Sequence, residues 1–168
     1  DTDYVAHGYY TDDHGETFQI SDNVPFWGSN ESTAAMLTNG RLMLNSRNQK
    51  KNDVRARVVS ISNDGGKTWE RSFADTNLPD PENQASLLNL GTKKKKEWIA
   101  FSNAADVKDR NNLTVRISKD EGKTWFKNIL VASAPKDYKG AYTAYSDLVK
   151  LNKNKIGVLY EKNHYSEI

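Results

Sequence analysis

The 168-residue sequence contains no cysteine and no long apolar run. Without cysteine it forms neither a disulfide nor a thiolate metal site, so cysteine usage gives no information on the redox compartment. No apolar run approaches the roughly 20 residues of a membrane-spanning helix, and the mean hydropathy of −0.81 is typical of a soluble protein. The formal net charge of +2 is too small to favour a nucleic-acid partner.

The three histidines are scattered, and no signal peptide is visible. His7, His14 and His164 show no ligand spacing, so we expect none of them to be catalytic or to bind a metal. The chain opens inside a repeat, which leads us to expect that the natural N-terminus lies upstream.

One eight-residue phrase occurs three times, with the pattern Ser/Thr-x-Asp-x-Gly-x-Thr-Trp/Phe. The copies run over residues 11–18, 62–69 and 118–125. Their aspartates, Asp13, Asp64 and Asp120, are 51 and 56 residues apart. Such near-constant spacing is typical of repeat architectures and matches the length of one four-stranded propeller blade. The repeats therefore predict an all-β fold of the β-propeller type.

Each copy of the phrase has the chemistry of a tight turn. Its glycine supplies a positive φ, and its aspartate can accept hydrogen bonds from turn amides. The threonine and the aromatic residue are expected to start the next strand, with the ring packed between neighbouring sheets. We predict that the turns are structural and that Asp64 and Asp120 bind no metal, because calcium requires about six to eight oxygen ligands.

Stretches rich in β-forming residues predict two complete blades and two partial ones. The predicted strands are 4–10 and 18–20, then 32–37, 41–46, 54–62 and 69–73, then 84–90, 97–102, 113–118 and 125–131, then 144–151 and 156–161. Asn39-Gly40 and residues 152–155 are expected to form hairpin turns, and Lys93–Lys96 a solvated hairpin tip rather than a polyanion-binding surface. We expect no long helix. Residues 1–168 would form one partial domain of a larger protein, because an open array of blades leaves bare sheet edges.

Antiparallel strand order brings several reactive side chains to one end of the predicted blades. The start of a first strand, the end of a second and the start of a third share that end, where propellers bind ligands. The residues at these positions are Glu31, Arg47, Arg110, Tyr145 and Glu161. Gln84 starts an inner strand and is a further candidate for ligand contact. The repeated turns are expected at the opposite end.

Four segments of the chain resemble bacterial sialidases (exo-α-neuraminidases), whose six-bladed propeller carries these repeats as Asp boxes. The segments are Glu31–Thr33, Asn39–Asn48, Asp109–Val115 and Ala144–Leu148, in the order found in that family. The resemblance spans the whole chain and corresponds to the C-terminal half of the propeller. It implies an exo-α-sialidase that releases terminal sialic acid from glycoconjugates with retention, located in a secreted, periplasmic or cell-surface compartment.

The resemblance also implies a role for each candidate residue. Tyr145 is the implied nucleophile and Glu31 the base that activates it. Arg47 and Arg110 correspond to the second and third arginines that hold the substrate carboxylate. Glu161 corresponds to the acid that orients the first arginine, and Gln84 would contact the sugar. The first arginine and the general acid/base aspartate of the family have no counterpart here, so the isolated chain is expected to be inactive without the missing N-terminal half. No cofactor is implied.

The residue types suit this chemistry. Sialic acid carries a carboxylate on its anomeric carbon, which would repel an anionic nucleophile but not a neutral tyrosine. A phenol, with an ordinary pKa near about 10, needs a neighbouring base to become nucleophilic. A guanidinium group can hold a planar carboxylate through two parallel hydrogen bonds.

Several alternatives stay open. Tyr142 competes with Tyr145 for the role of nucleophile, although strand alternation points the two side chains to opposite sides. A non-catalytic propeller could bind sialylated glycans through the same arginines, and a purely structural Asp-box scaffold would use none of these residues. Phe26 and Trp27 are expected to pack in the core rather than line the pocket.

Overall fold

The computed structural model describes residues 4–49, 54–152 and 155–168, and their regular structure is almost entirely β. The strands are β1 Tyr9–Tyr10, β2 Gln19–Ile20, β3 Ser29–Met36, β4 Leu42–Asn48, β5 Ala56–Ser62, β6 Arg71–Pro79, β7 Ser86–Lys93, β8 Lys96–Ala104, β9 Leu113–Ser118, β10 Lys127–Ala132, β11 Thr143–Asn152 and β12 Lys155–Lys162. In the described ranges the only helical element is a 3₁₀ turn at Thr38–Gly40. The predicted all-β fold is therefore confirmed.

Each strand pairs antiparallel with its neighbour in sequence, which gives four sheets. The first sheet is β1-β2, the second β3-β4-β5-β6, the third β7-β8-β9-β10 and the fourth β11-β12. This up-and-down order is that of propeller blades. The two four-stranded and two two-stranded sheets are the complete and partial blades that the sequence predicts.

The core consists of apolar clusters that lie between successive sheets. The largest joins Met43 and Ile61 of the second sheet to Ile99 and Phe101 of the third, all 4% exposed or less. A second cluster packs Leu44 of the second sheet against the segment that precedes it, and a third packs Leu148 of the fourth sheet against the third sheet. Because the first and third clusters each draw on two sheets, burial of apolar surface holds neighbouring blades together.

The repeated turns are closed by their aspartates, as predicted. The carboxylate of Asp64 accepts hydrogen bonds from the backbone N–H and the hydroxyl of Thr68, at 3.0 and 2.6 Å, and from the hydroxyl of Ser62 at 2.7 Å. Asp120 makes the same three contacts in its own turn. Hydrogen bonding to the ionised form lowers the pKa of Asp64 well below its ordinary value.

The tryptophans of the second and third copies pack against apolar clusters, but they do not start strands. Phe18 of the first copy is 65% exposed, so its ring is not packed as predicted. Trp69 and Trp125 each precede their strand by two residues, since β6 begins at Arg71 and β10 at Lys127. The prediction that they open the strand is wrong because the aspartate still holds the backbone in the turn at the preceding threonine. Trp125 packs against Phe101 with ring centres 5.8 Å apart.

The predicted strand 4–10 is largely absent and is replaced by irregular pairing. Only Tyr9–Tyr10 is regular, because carbonyls earlier in this segment accept hydrogen bonds at irregular intervals from residues 21–28. The Gly8, Ala6 and Tyr4 carbonyls are the acceptors, at 2.8 to 2.9 Å.

Two of the predicted hairpin turns are present. Asn39 and Gly40 both have positive φ, 60° and 73°, in the turn between β3 and β4. Lys94 and Lys95 also have positive φ at the tip between β7 and β8, where Lys93 pairs with Lys96. Of the predicted turn at 152–155, residues 153 and 154 lie outside the described part of the chain.

Strand register separates the two ends of each blade. In the second sheet Ser29 pairs with Asn48 and Ala56 with Pro79 at one end. Ser62, where the Asp box begins, pairs with Leu42 at the other end. Glu31 and Arg47 therefore lie at the end of the sheet opposite the Asp box, as predicted.

Candidate active site

The centre of the candidate site is a contact between the second and fourth sheets. Tyr145, near the start of β11, donates its phenolic O–H to Oε1 of Glu31, the third residue of β3. These residues are 114 positions apart in the sequence. Stacking of the blades thus brings a phenol and a carboxylate into direct hydrogen-bond contact, which is the geometry that a nucleophile and its base require.

The second oxygen of Glu31 is held by Arg47. The NH1 group of Arg47 donates to Oε2 of Glu31 at 2.9 Å, across the β3–β4 pair. The side chains of Arg47 and Glu31 are 15% and 33% exposed. The carboxylate therefore has one oxygen on a phenol and the other on a guanidinium, which fixes its orientation.

The pKa shifts place the proton of this pair on the phenol. Burial raises the pKa of the Tyr145 phenol, and its hydrogen bond to the negatively charged Glu31 raises it further. For Glu31, burial raises the pKa, but hydrogen bonds from Tyr145 and Arg47 outweigh burial, so the net shift is downward. Before any reaction the tyrosine is thus neutral and the glutamate ionised.

Arg110 lies beside the ring of Tyr145. Its guanidinium carbon is 5.6 Å from the ring centre. Its two terminal nitrogens donate to the Tyr165 hydroxyl at 3.0 Å and to the Glu82 carbonyl at 3.2 Å. Two cationic groups, Arg47 and Arg110, therefore flank the phenol, which suits the site to an anionic ligand.

Glu161 and Gln84 contact the backbone around Tyr145 rather than its ring. The backbone N–H of Tyr145 donates to Oε2 of Glu161 at 3.2 Å, and that of Ser146 to Oε1 of Gln84 at 3.0 Å. Tyr145, Gln84 and Glu161 also share the wall of an open cavity of about 290 Å³. The structure thus brings all six predicted site residues to one region.

The competing candidates lie elsewhere. The ring of Tyr142 packs edge-on against Tyr138, with centres 5.0 Å apart, and Lys162 lies over its face. The ring of His164 packs against Tyr138. Phe26 packs in the cluster with Leu44, as expected, but Trp27 is 63% exposed, so its predicted place in the core is wrong.

Other residues of the site carry no signal in the sequence. Tyr165 and Glu82 hold Arg110, and Asn83 donates to the Ala144 carbonyl at 2.7 Å next to Tyr145. These contacts cross between sheets and join residues at least 28 positions apart, so no local pattern reveals them.

The described residues contain neither a cluster of metal-ligating side chains nor a membrane-spanning helix. No group of three or more metal-ligating side chains occurs within 4–49, 54–152 and 155–168. None of the helical structure in those ranges is long and apolar enough to cross a bilayer.

Sheets of four antiparallel strands that pack face to face and carry Asp-box turns define a β-propeller fold, and the chain comprises about half of one. Residues 1–158 match the model of the BNR repeat-like domain family. The chain belongs to this family.

The most informative sequence relatives are bacterial sialidases. The chain is 34% identical to a sialidase of Micromonospora viridifaciens over 164 residues, which is 94% of this chain and 24% of that protein. It is 32% identical to a sialidase of Bacteroides fragilis over 158 residues, covering 92% of this chain and 28% of that protein. The resemblance to bacterial sialidases is therefore confirmed, and the chain spans about a quarter of the length of these relatives.

Solved structures show the same fold. The Hadza microbial sialidase Hz136 superposes with a TM-score of 0.74 at 28% identity, covering 92% of this chain and 29% of that one. The NanB sialidase of Streptococcus pneumoniae superposes with a TM-score of 0.73 at 20% identity, which shows the fold alone. The sialidase type of propeller is thus confirmed for the present chain.

Proposed function

We propose that the chain is part of an exo-α-sialidase that releases terminal sialic acid from glycoconjugates with retention. The observation that carries the proposal is the contact of the Tyr145 phenol with the Glu31 carboxylate, flanked by Arg47 and Arg110. The relation to bacterial sialidases supports the substrate class.

In the proposed reaction Tyr145 is the nucleophile. As the phenolic oxygen attacks the anomeric carbon, its proton passes to Oε1 of Glu31, and the bond from the anomeric carbon to the leaving oxygen breaks. The leaving oxygen takes a proton from the general acid/base aspartate, and the product of this step is a covalent sialyl-tyrosine. Water then attacks the anomeric carbon and gives a proton to that aspartate, while the released tyrosine oxygen takes its proton back from Glu31. Two inversions give net retention.

The arginines would bind the carboxylate of the substrate. Arg110 lies over the Tyr145 ring and Arg47 binds the carboxylate that the phenol contacts, so a substrate carboxylate bound by both arginines would have its anomeric carbon near the phenolic oxygen. Glu161, which lies beside Tyr145, would orient the first arginine of the triad, which has no counterpart in this chain, and Gln84, which lines the pocket wall, would contact the sugar.

The proposal assigns the missing functions to another part of the same propeller. A general acid/base aspartate and the first arginine of the triad would come from an N-terminal half that closes the ring, so the isolated chain is expected to be inactive. The whole protein would act outside the cytoplasm, where sialylated glycans are displayed.

The test uses the full-length protein and a fluorogenic sialoside. Tyr145→Phe should abolish turnover while circular dichroism and the melting temperature stay near those of wild type. Tyr142→Phe, the matched control, should retain turnover. NMR should show that the first product formed has the anomeric configuration of the substrate.

Two results would contradict the proposal. Turnover by Tyr145→Phe at the wild-type rate would remove Tyr145 from the mechanism. Binding of a sialylated glycan by wild-type protein without any turnover would instead support a non-catalytic, lectin-like propeller that uses the same two arginines.

A further inference from the structure

A short loop between the second and third sheets contacts the segments that carry Arg47, Arg110 and Tyr145. It runs from Asp80 to Gln84, between the end of β6 at Pro79 and the start of β7 at Ser86. Asp80 and Asn83 are 1% and 0% exposed. Such burial is unusual for polar loop residues, and the hydrogen bonds of the Asp80 carboxylate and of the Asn83 amide N–H offset part of its cost.

Asp80 connects this loop to the strand that carries Arg47. Its Oδ2 accepts the backbone N–H of Asn48, the residue after Arg47, at 3.2 Å. Its Oδ1 accepts the backbone N–H of Asn83 at 3.1 Å. The fully buried guanidinium of Arg57 lies 3.4 Å from both carboxylate oxygens and supplies the opposite charge.

Asn83 and Gln84 hold the backbone on both sides of Tyr145. Asn83 donates its amide N–H to the Ala144 carbonyl at 2.7 Å, and Gln84 accepts the Ser146 N–H at 3.0 Å. The β11–β12 pairing is irregular at this point, since the register shifts between Thr143 and Ser146. Side chains of the loop thus bind backbone groups where the regular strand pairing is interrupted.

The same loop also contacts Arg110, which lies beside the ring of Tyr145. The carbonyl of Glu82 accepts a hydrogen bond from Arg110 at 3.2 Å. Glu82 has a φ of 62°, a conformation that non-glycine residues adopt infrequently. The turn at Glu82 directs this carbonyl towards Arg110 while the next two residues reach the strand of Tyr145.

We propose that the loop Asp80–Gln84 is a positioning element of the site and that Asn83 is the residue that fixes the backbone of Tyr145. The proposal rests on the proposed role of Tyr145 as nucleophile. The side-chain amide of Asn83 donates to the Ala144 carbonyl and not to the phenol, Arg47 or Arg110, so it acts through the backbone. Because a misplacement of about 1 Å at a reacting atom can cost on the order of 100-fold in rate, loss of this contact should lower kcat more than it alters KM.

The test is Asn83→Ala in the full-length protein. We expect kcat for a fluorogenic sialoside to fall about 10- to 100-fold while KM changes less than about threefold, since Arg47 and Arg110 keep their places. The matched control is Asn89→Ala. Asn89 donates to the Met36 carbonyl at the same 2.7 Å, also between two sheets, but at the end that carries the Asp boxes. Equal kcat in the two variants would overturn the proposal.

A second readout does not depend on turnover. The ionisation of Tyr145 is followed by ultraviolet difference titration against the same protein carrying Tyr145→Phe. In Asn83→Ala the pKa of the phenol should move from its raised value towards that of an ordinary tyrosine, because its contact with Glu31 loosens. An unchanged phenol pKa would count against positioning even if the sialidase assignment had failed.

A milder variant covers the case in which Asn83→Ala does not fold. Gln84 is only half-buried, and Gln84→Ala removes the hydrogen bond on the other side of Tyr145. It should shift the phenol pKa in the same direction by a smaller amount. If Gln84→Ala leaves the pKa of Tyr145 where it was, the loop does not position the residue.

Discussion

Replacement of Glu31 by glutamine separates two roles that the carboxylate could play. Glutamine keeps the shape of the side chain and can still accept a hydrogen bond from the phenol, but it carries no negative charge and cannot take a proton. General base catalysis typically contributes about 10²- to 10⁴-fold. Glu31→Gln should therefore slow turnover by that factor, which corresponds to about 3–5 kcal/mol in the activation barrier.

The Tyr145 phenol should ionise more easily in Glu31→Gln, although turnover becomes slower. Burial is the largest cause of its raised pKa and is unchanged by the substitution, whereas the charge of Glu31 adds to the rise and is removed. The pKa of Tyr145 in Glu31→Gln should thus lie below that in wild type. The variant would be slower although its nucleophile ionises more easily, which indicates a missing proton acceptor.

Both quantities are measurable on the full-length protein. Turnover is followed with a fluorogenic sialoside, and phenol ionisation by ultraviolet difference titration against variants with Tyr145→Phe. Glu97→Gln is the matched control, because Glu97 is a half-buried carboxylate that accepts a hydroxyl hydrogen bond, from Thr92, outside the site. Turnover of Glu31→Gln within about threefold of wild type, or a higher phenol pKa, would refute the assignment of Glu31 as the base.

Three further predictions concern the Asp boxes. Gly122→Ala should lower the melting temperature more than Gly65→Ala. Both glycines have positive φ, and a side chain in that conformation costs about 1–2 kcal/mol of stability. Only at Gly122 would the new Cβ also lie 2.7 Å from the Met43 side chain. Burial raises the pKa of Asp120, but hydrogen bonds from Thr124 and Ser118 lower it overall. The stability that Asp120 contributes should therefore be fully present above the ordinary aspartate pKa and be lost as pH falls through the lowered pKa. In acid titrations, Asp120→Asn should lose less stability than wild type over this pH range. A chelator should leave the melting temperature of the wild-type protein unchanged. A melting temperature that falls with chelator and is restored by calcium would show that an Asp box binds metal.

Features with a local cause could be predicted from the sequence. The Asp-box phrase fixes its own turn, since Asp64 bonds to residues within four positions of itself. The hairpin at Asn39-Gly40 follows from residues that tolerate positive φ. Strand order then placed Glu31 and Arg47 at one end of a sheet, because antiparallel register is determined by such turns.

Features that depend on neighbouring sheets could not be predicted. The sequence gives no reason for the strand at 4–10 to shrink to Tyr9–Tyr10, because its hydrogen-bond partners come from an irregular segment at 21–28. Likewise Asn83 lies in a stretch of ordinary loop composition, and its partner Ala144 is 61 positions away. Only the stacking of blades brings these groups together.

The two ends of the blades nevertheless depend on each other through this stacking. At the Asp-box end, Glu121 of the third sheet accepts the backbone N–H of Thr38 at 2.8 Å and pairs with Arg41, both from the turn of the second sheet. At the other end, contact between sheets is made by polar groups such as Tyr145 and Glu31. A hydrogen bond tolerates only a few tenths of an ångström of displacement, so these contacts limit how far the second sheet can move relative to the third. The turn that contains Glu121 therefore helps to fix the sheet that carries Glu31 and Arg47.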